Sequence, residues 1–140
     1  MERDDRRLSV RVGSVVVAAT TTAFRLLETS HPPVFYFPPS DVRMEFLRPN
    51  AARTVCEWKG VAGYWDVVVG SSVVVSAAWS YERPLGAYEA LRGHVAFYPS
   101  KVLCSVDGVA VESQEGDFYG GWITDEITGP FKGGPGSWGW

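Results

Sequence analysis

The heptapeptide Val69-Gly70-Ser71-Ser72-Val73-Val74-Val75 decides the fold, because Val12-Gly13-Ser14-Val15-Val16-Val17 is a near copy of it with one serine fewer. Valine is stiff at χ1 and packs well on a pleated surface, and glycine supplies the positive φ of a tight hairpin turn, so each block reads as strand, turn, strand. A second pair of blocks follows in the same order. Val34-Phe35-Tyr36-Phe37-Pro38 is echoed by Val95-Ala96-Phe97-Tyr98-Pro99, and each then runs through a serine and a charged residue to a valine, Val42 or Val102. Neither copy is large enough to bury its own apolar face, so the two, about residues 10–42 and 67–102, are expected to pack on one another. The expected fold is mainly β, α+β at the margin: a small barrel or rolled sheet of two repeated units, each with a short helix.

The rest of the chain fits around these units. Residues 1–9 read as a charged N-terminal segment, frayed over 1–7, 10–115 as a single domain, and 116–140 as a Gly/Trp-rich C-terminal arm that is ordered only where its aromatics dock. Val10 to Ala19 reads as two strands, and Thr20 to Thr29 as strand or helical turn. Ser40 or Asp41 is placed to cap a helical turn running to Leu47. Strands are expected over Tyr64–Val69, Ser72–Ala78 and Val95–Tyr98, with a short helix over Ala87–Leu91. Asp107-Gly108, between Leu103–Val106 and Val109–Glu112, is the strongest hairpin signal in the chain.

Composition narrows the function classes. The chain has 140 residues, enough for one domain with its own core. Aromatics reach 14% with six tryptophans, which implies a core of large rings or an aromatic-lined pocket. A net charge of -3 argues against nucleic-acid binding, which needs Lys and Arg in excess. Val15 to Ala19 is too short for a membrane span, so no membrane association is expected. Two cysteines, Cys56 and Cys104, do not make a disulfide framework; a single bridge between them or two reduced thiols in a cytoplasmic protein both fit, and the second is expected.

The chemistry concentrates in Cys56-Glu57-Trp58-Lys59-Gly60-Val61-Ala62-Gly63-Tyr64-Trp65-Asp66, read as a loop feeding the strand from Tyr64. Lys59, among Trp58, Tyr64 and Trp65, is expected to be partly desolvated, which suits an anion contact or a Schiff-base amine. The bland reading is a surface lysine along a ring, worth about 0.5–1 kcal/mol. Trp79 and Tyr81 alternate on a strand end and so share a face; with Tyr36 from the other unit, and Arg43 nearby, they are candidate ligand contacts or plain core. Cys56 is a candidate nucleophile if His31 or His94 reaches it, and a structural thiol otherwise. Asp66, Glu57 and Glu82 are candidate proton-transfer groups. Metal-ligand spacing is absent, so no metal site is expected.

At Cys56-Glu57-Trp58-Lys59-Gly60 and Ala78-Trp79-Ser80-Tyr81-Glu82-Arg83-Pro84 the chain resembles the domain of unknown function 427 (DUF427) family. The likeness runs through Tyr36-Phe37-Pro38-Pro39-Ser40-Asp41-Val42-Arg43 and Val95-Ala96-Phe97-Tyr98-Pro99, about residues 10–112, and the Gly/Trp-rich end resembles extensions of cyanobacterial members. The resemblance implies no settled activity. The family has carried a nucleotidyltransferase label, but Gly13-Ser14 and Gly70-Ser71 are each followed by valines, without the paired acidic residues that would hold Mg²⁺. Two function classes therefore stand: a binder of a small anionic or carbonyl-containing molecule in an aromatic cleft, and an enzyme using Lys59 or Cys56 there. A third is an interaction module, including a homo-oligomer, built on the arm.

Overall fold

A computed structural model describes residues 1–27, 32–113 and 120–123. The fold is mainly β. In chain order the strands are β1 (Glu2–Asp4), β2 (Leu8–Val12), β3 (Val15–Thr20), β4 (Ala23–Leu26), β5 (Val34–Tyr36), β6 (Leu47–Cys56) and β7 (Gly60–Val69). They continue with β8 (Ser72–Tyr81), β9 (Val95–Phe97), β10 (Leu103–Val106), β11 (Val109–Ala110), β12 (Glu112–Ser113) and β13 (Trp122–Ile123). Three- and four-stranded sheets run β1-β4-β5, β11-β10-β2-β3 and β6-β7-β8-β9, with β12-β13 as a separate pair. The described strands stay as open sheets and do not close into a barrel.

Both Gly-Ser pairs turn hairpins as their composition requires. Gly13 (φ 59°) joins β2 to β3 and Gly70 (φ 58°) joins β7 to β8, a conformation that costs glycine nothing. Asp107-Gly108 joins β10 to β11. Phe37 and Val95 exchange backbone hydrogen bonds of 2.8 and 2.9 Å, which ties the three-stranded sheet to the β6–β9 sheet across β5 and β9.

The main core gathers Leu8, Val10, Val17, Phe35, Phe37, Val67, Val95, Phe97 and Trp122 from several of these strands and their flanks. Alternation places them: along β2, Leu8 and Val10 point inward. A second cluster, with Tyr36, Trp79, Tyr81 and Leu91, sits on the other face of β8.

Several expectations change. Residues 1–9 are built into the sheets: β1 pairs with β4, Leu8 is core, and Arg3 lies 3.9 Å from the Phe24 ring centroid. Among the described residues the helices are only 3-10 turns, at Pro39–Asp41, Met44–Phe46 and Gly86–Leu91. Neither Ser40 nor Asp41 caps one; Asp41 instead accepts a 2.7 Å hydrogen bond from the Thr20 hydroxyl and pins the end of β3. β6 was not foreseen at all, and β7 begins at Gly60 rather than Tyr64. Within the expected arm, Trp122 is fully buried (0% exposed), and its indole N–H donates to the Phe97 carbonyl at 3.1 Å. The remainder of the arm, 116–119 and 124–140, and His31 lie outside the described residues.

Candidate functional site

The Cys56–Gly60 stretch is the turn of a long hairpin, with Cys56 paired to Gly60 and residues 57–59 between the strands. Trp58 stands out at its tip, 71% exposed. Lys59 turns the other way and is buried, its ammonium 5.8 Å from the Tyr88 ring centroid. The Lys59 carbonyl accepts from the Leu85 amide at 3.0 Å, so this turn is bound to the segment after β8.

Between the hairpin and that segment lies an open groove of about 690 Å³. Val55, Val61, Trp65 and Leu85 give it apolar walls, and Arg53, Arg83, Glu57 and Glu82 give it charge. Gly63 forms the middle of the floor. A Cβ placed there would lie 3.7 Å from the Arg53 guanidinium carbon, so Arg53 extends across a floor that has no side chain of its own. Its Nη1 is held by the carbonyls of Asn50 (2.9 Å) and Ala52 (2.6 Å).

One polar chain runs through the groove. The Trp65 indole N–H donates to Ser80 Oγ at 3.0 Å, and the Ser80 hydroxyl donates to Glu82 Oε1 at 3.2 Å. Indole is a donor only, so the Ser80 proton is directed toward the carboxylate. Ser80 is 1% exposed, a buried hydroxyl with both neighbours satisfied.

The aromatic residues expected to line a cleft come together differently. Tyr36 meets Trp79 edge-on at 6.3 Å and Tyr81 at 6.5 Å, and Trp79 lies 4.5 Å from Tyr98 between ring centroids. All three of Tyr36, Trp79 and Tyr81 are buried against one another, as a packed cluster. They share a face as their spacing predicts, and Ser80 between them takes the opposite one. Tyr64 touches both regions: it packs against the cluster, lines the groove, and its hydroxyl shares a 3.0 Å hydrogen bond with Thr54.

Other candidates lie elsewhere. Asp66 Oδ1 accepts from the Ser76 amide (2.9 Å) and the Asn50 amide group (2.8 Å), and these bonds, backbone first, hold its carboxyl below the usual range. It locks the bulges where β6 and β8 slip register against β7. Arg43 is exposed before the Met44–Phe46 turn, with its amide on the Val17 carbonyl at 2.8 Å. Both cysteines are free. Cys104 is buried in the main core, where desolvation drives its thiol pKa far up. Cys56 is half-buried and lines the groove. His94 stacks near Phe24 at 5.3 Å, and burial lowers its pKa.

Sequence reasoning thus named Cys56, Glu57, Tyr64, Trp65 and Glu82, which line the groove, and missed Arg53, Ser80, Arg83 and Leu85 as site residues. The signal was present in the alternation Val61-x-Gly63-x-Trp65, which puts all three on one face of β7. Among the described residues, no helix is long and apolar enough to cross a membrane.

Open antiparallel sheets around two hydrophobic clusters, with a groove walled by a hairpin, define a mainly β fold. The family model described as "Domain of unknown function (DUF427)" matches residues 1–111, and the chain belongs to that family. No curated protein matches it.

Proposed function

We propose that this protein binds a small anionic or carbonyl-containing molecule, and that the ligand occupies the groove walled by the β6–β7 hairpin. The observation that carries this reading is the groove itself: about 690 Å³, apolar walls, and a few charged groups at the rim. Sites for small molecules have this size and composition. Arg53 and Arg83 supply the positive charge that an anion or polarised carbonyl needs. The Tyr36–Trp79–Tyr81 cluster is a weaker host, since its rings fill one another. Lys59 does not line the groove, and its ammonium lies beside Tyr88. Two free thiols favour a cytoplasmic location.

A thermal-shift screen of nucleotides, sugar phosphates, coenzymes and keto acids tests the reading with wild type, Arg83→Ala and Lys59→Ala. Ligand at a hundred times its dissociation constant adds about 2.7 kcal/mol. A hit lost in Arg83→Ala and kept in Lys59→Ala supports the groove. The reverse pattern returns the site to Lys59 and the aromatic cluster.

A second reading, an enzyme, is favoured by Cys56, because a half-buried thiol and the neighbouring Glu57 carboxylate line the same groove. Turnover of a screened ligand that disappears in Cys56→Ser while binding persists would carry that reading.

The domain is also proposed to be a duplicated unit, with Gly13 and Gly70 as matching turns. Support comes from equivalent hydrogen bonds after the aromatic strands: Asp41 N–H to the Pro38 carbonyl at 2.9 Å, and Lys101 N–H to the Tyr98 carbonyl at 3.0 Å.

A further inference from the structure

We infer that Glu82 is the specificity-determining residue of the groove, and that the ligand it selects carries a hydroxyl or N–H donor in addition to its anionic group. This rests on the groove reading above and goes beyond it, because it fixes the chemistry of the ligand's other end. An exposed glutamate on a loop is ordinarily a solvated, freely rotating charge. Glu82 is held at two points. Its side chain accepts from Ser80, itself buried and oriented by Trp65, and its backbone carbonyl accepts from Arg92 Nη1 at 3.0 Å. Arg92 is fixed in turn by a two-pronged pair with Glu89 at 2.8 and 2.9 Å. A carboxylate offers about four lone-pair positions, and the Ser80 bond takes one, so acceptor capacity remains for a ligand. A preorganised acceptor loses little freedom on binding, which makes its hydrogen bond selective.

The groove therefore presents guanidinium groups, an apolar middle formed by Trp65, Val61 and Leu85, and an anchored acceptor. The complementary molecule is an apolar body that carries both an acid and a hydrogen-bond donor. A donor-lacking analogue covers Glu82 while leaving its remaining acceptor positions unfilled beside the Ser80 bond, a situation that discriminates against it.

The test is isothermal titration of the full chain with 2-naphthoate and 6-hydroxy-2-naphthoate, which differ only by the hydroxyl. The readout is the ratio of their dissociation constants in wild type, Glu82→Ala and Arg83→Ala. We expect the hydroxylated probe to bind wild type about tenfold tighter or more, the factor a hydrogen bond to a charged group is worth. Glu82→Ala brings that ratio to near one, whereas Arg83→Ala weakens both probes. Equal affinities in wild type, or a preference that survives Glu82→Ala, overturns the role of Glu82 while leaving the groove standing if Arg83→Ala still weakens binding. Failure of both probes to bind wild type overturns the groove reading together with this one.

Discussion

Asp66 illustrates how a residue chosen for its chemistry can serve the backbone. Its carboxylate accepts from Ser76 and Asn50, residues of the two strands that flank β7, and Ser76 has the positive φ of 51° that its bulge demands. Those bonds hold its pKa below the usual carboxylate range. A carboxyl depressed in the folded state stabilises above the unfolded pKa, and the contribution is lost as pH falls through the folded one, below about pH 4. Asp66→Asn is expected to lower stability by about 1 kcal/mol at neutral pH and to flatten the acid limb of a urea-denaturation series. Gly60 makes a different demand. Its φ is +111°, and a Cβ there would lie 3.1 Å from the Arg83 carbonyl. Gly60→Ala is expected to cost about 1–3 kcal/mol in thermal melts and to weaken groove ligands, because relief requires Arg83 to move. At this scale the sequence was informative about residue pairs on one strand and silent about what faced them. Period two joined Trp79 to Tyr81, yet only packing reveals that Tyr36 meets both rings, at 6.3 and 6.5 Å between centroids.

Among the elements, β13 shows how two residues can complete a core. Its Trp122 lies beyond the family match, which ends at residue 111, yet packs against Phe35 and Phe37 at 5.2 and 6.0 Å between ring centroids. Trp122→Ala is expected to destabilise by about 3–5 kcal/mol, read from the urea midpoint, and Trp122→Phe by less. Nothing local announces this role, since the surrounding sequence is glycine-rich and without period. The Gly-Ser and Asp-Gly turns, by contrast, were legible because their geometry is decided by residues within the turn. β6 was illegible for the opposite reason. Leu-Arg-Pro-Asn-Ala-Ala-Arg-Thr-Val-Cys has no alternation because most of its side chains are exposed, and only pairing with β7 makes it a strand.

For the whole molecule, the Phe37–Val95 pair decides whether the sheets behave as one body. The mutual hydrogen bonds join the β1-β4-β5 and β6–β9 sheets at a point where Phe37, Val95 and Phe97 are fully enclosed. Native-state hydrogen exchange is expected to show the Phe37 and Val95 amides opening only with global unfolding, in a single cooperative transition. Faster exchange at either amide than at the β2–β3 ladder would mean that the sheets separate first. The mainly β class was readable from the whole chain, whereas the way its sheets join depends on one pair of residues distant in sequence.

β6 is the outermost strand of its sheet, and this position bears on how the molecule behaves in a crowded solution. An outer strand is a ready template for another chain, and long valine-rich hairpins such as β7–β8 are the material from which cross-β aggregates grow. β6 covers one side of that hairpin while making a poor template itself: Pro49 lacks an amide proton, the register breaks between Pro49 and Arg53, and Arg48 and Arg53 bring charge to the rim. The strand that walls the groove thus also acts as a gatekeeper against fibril growth.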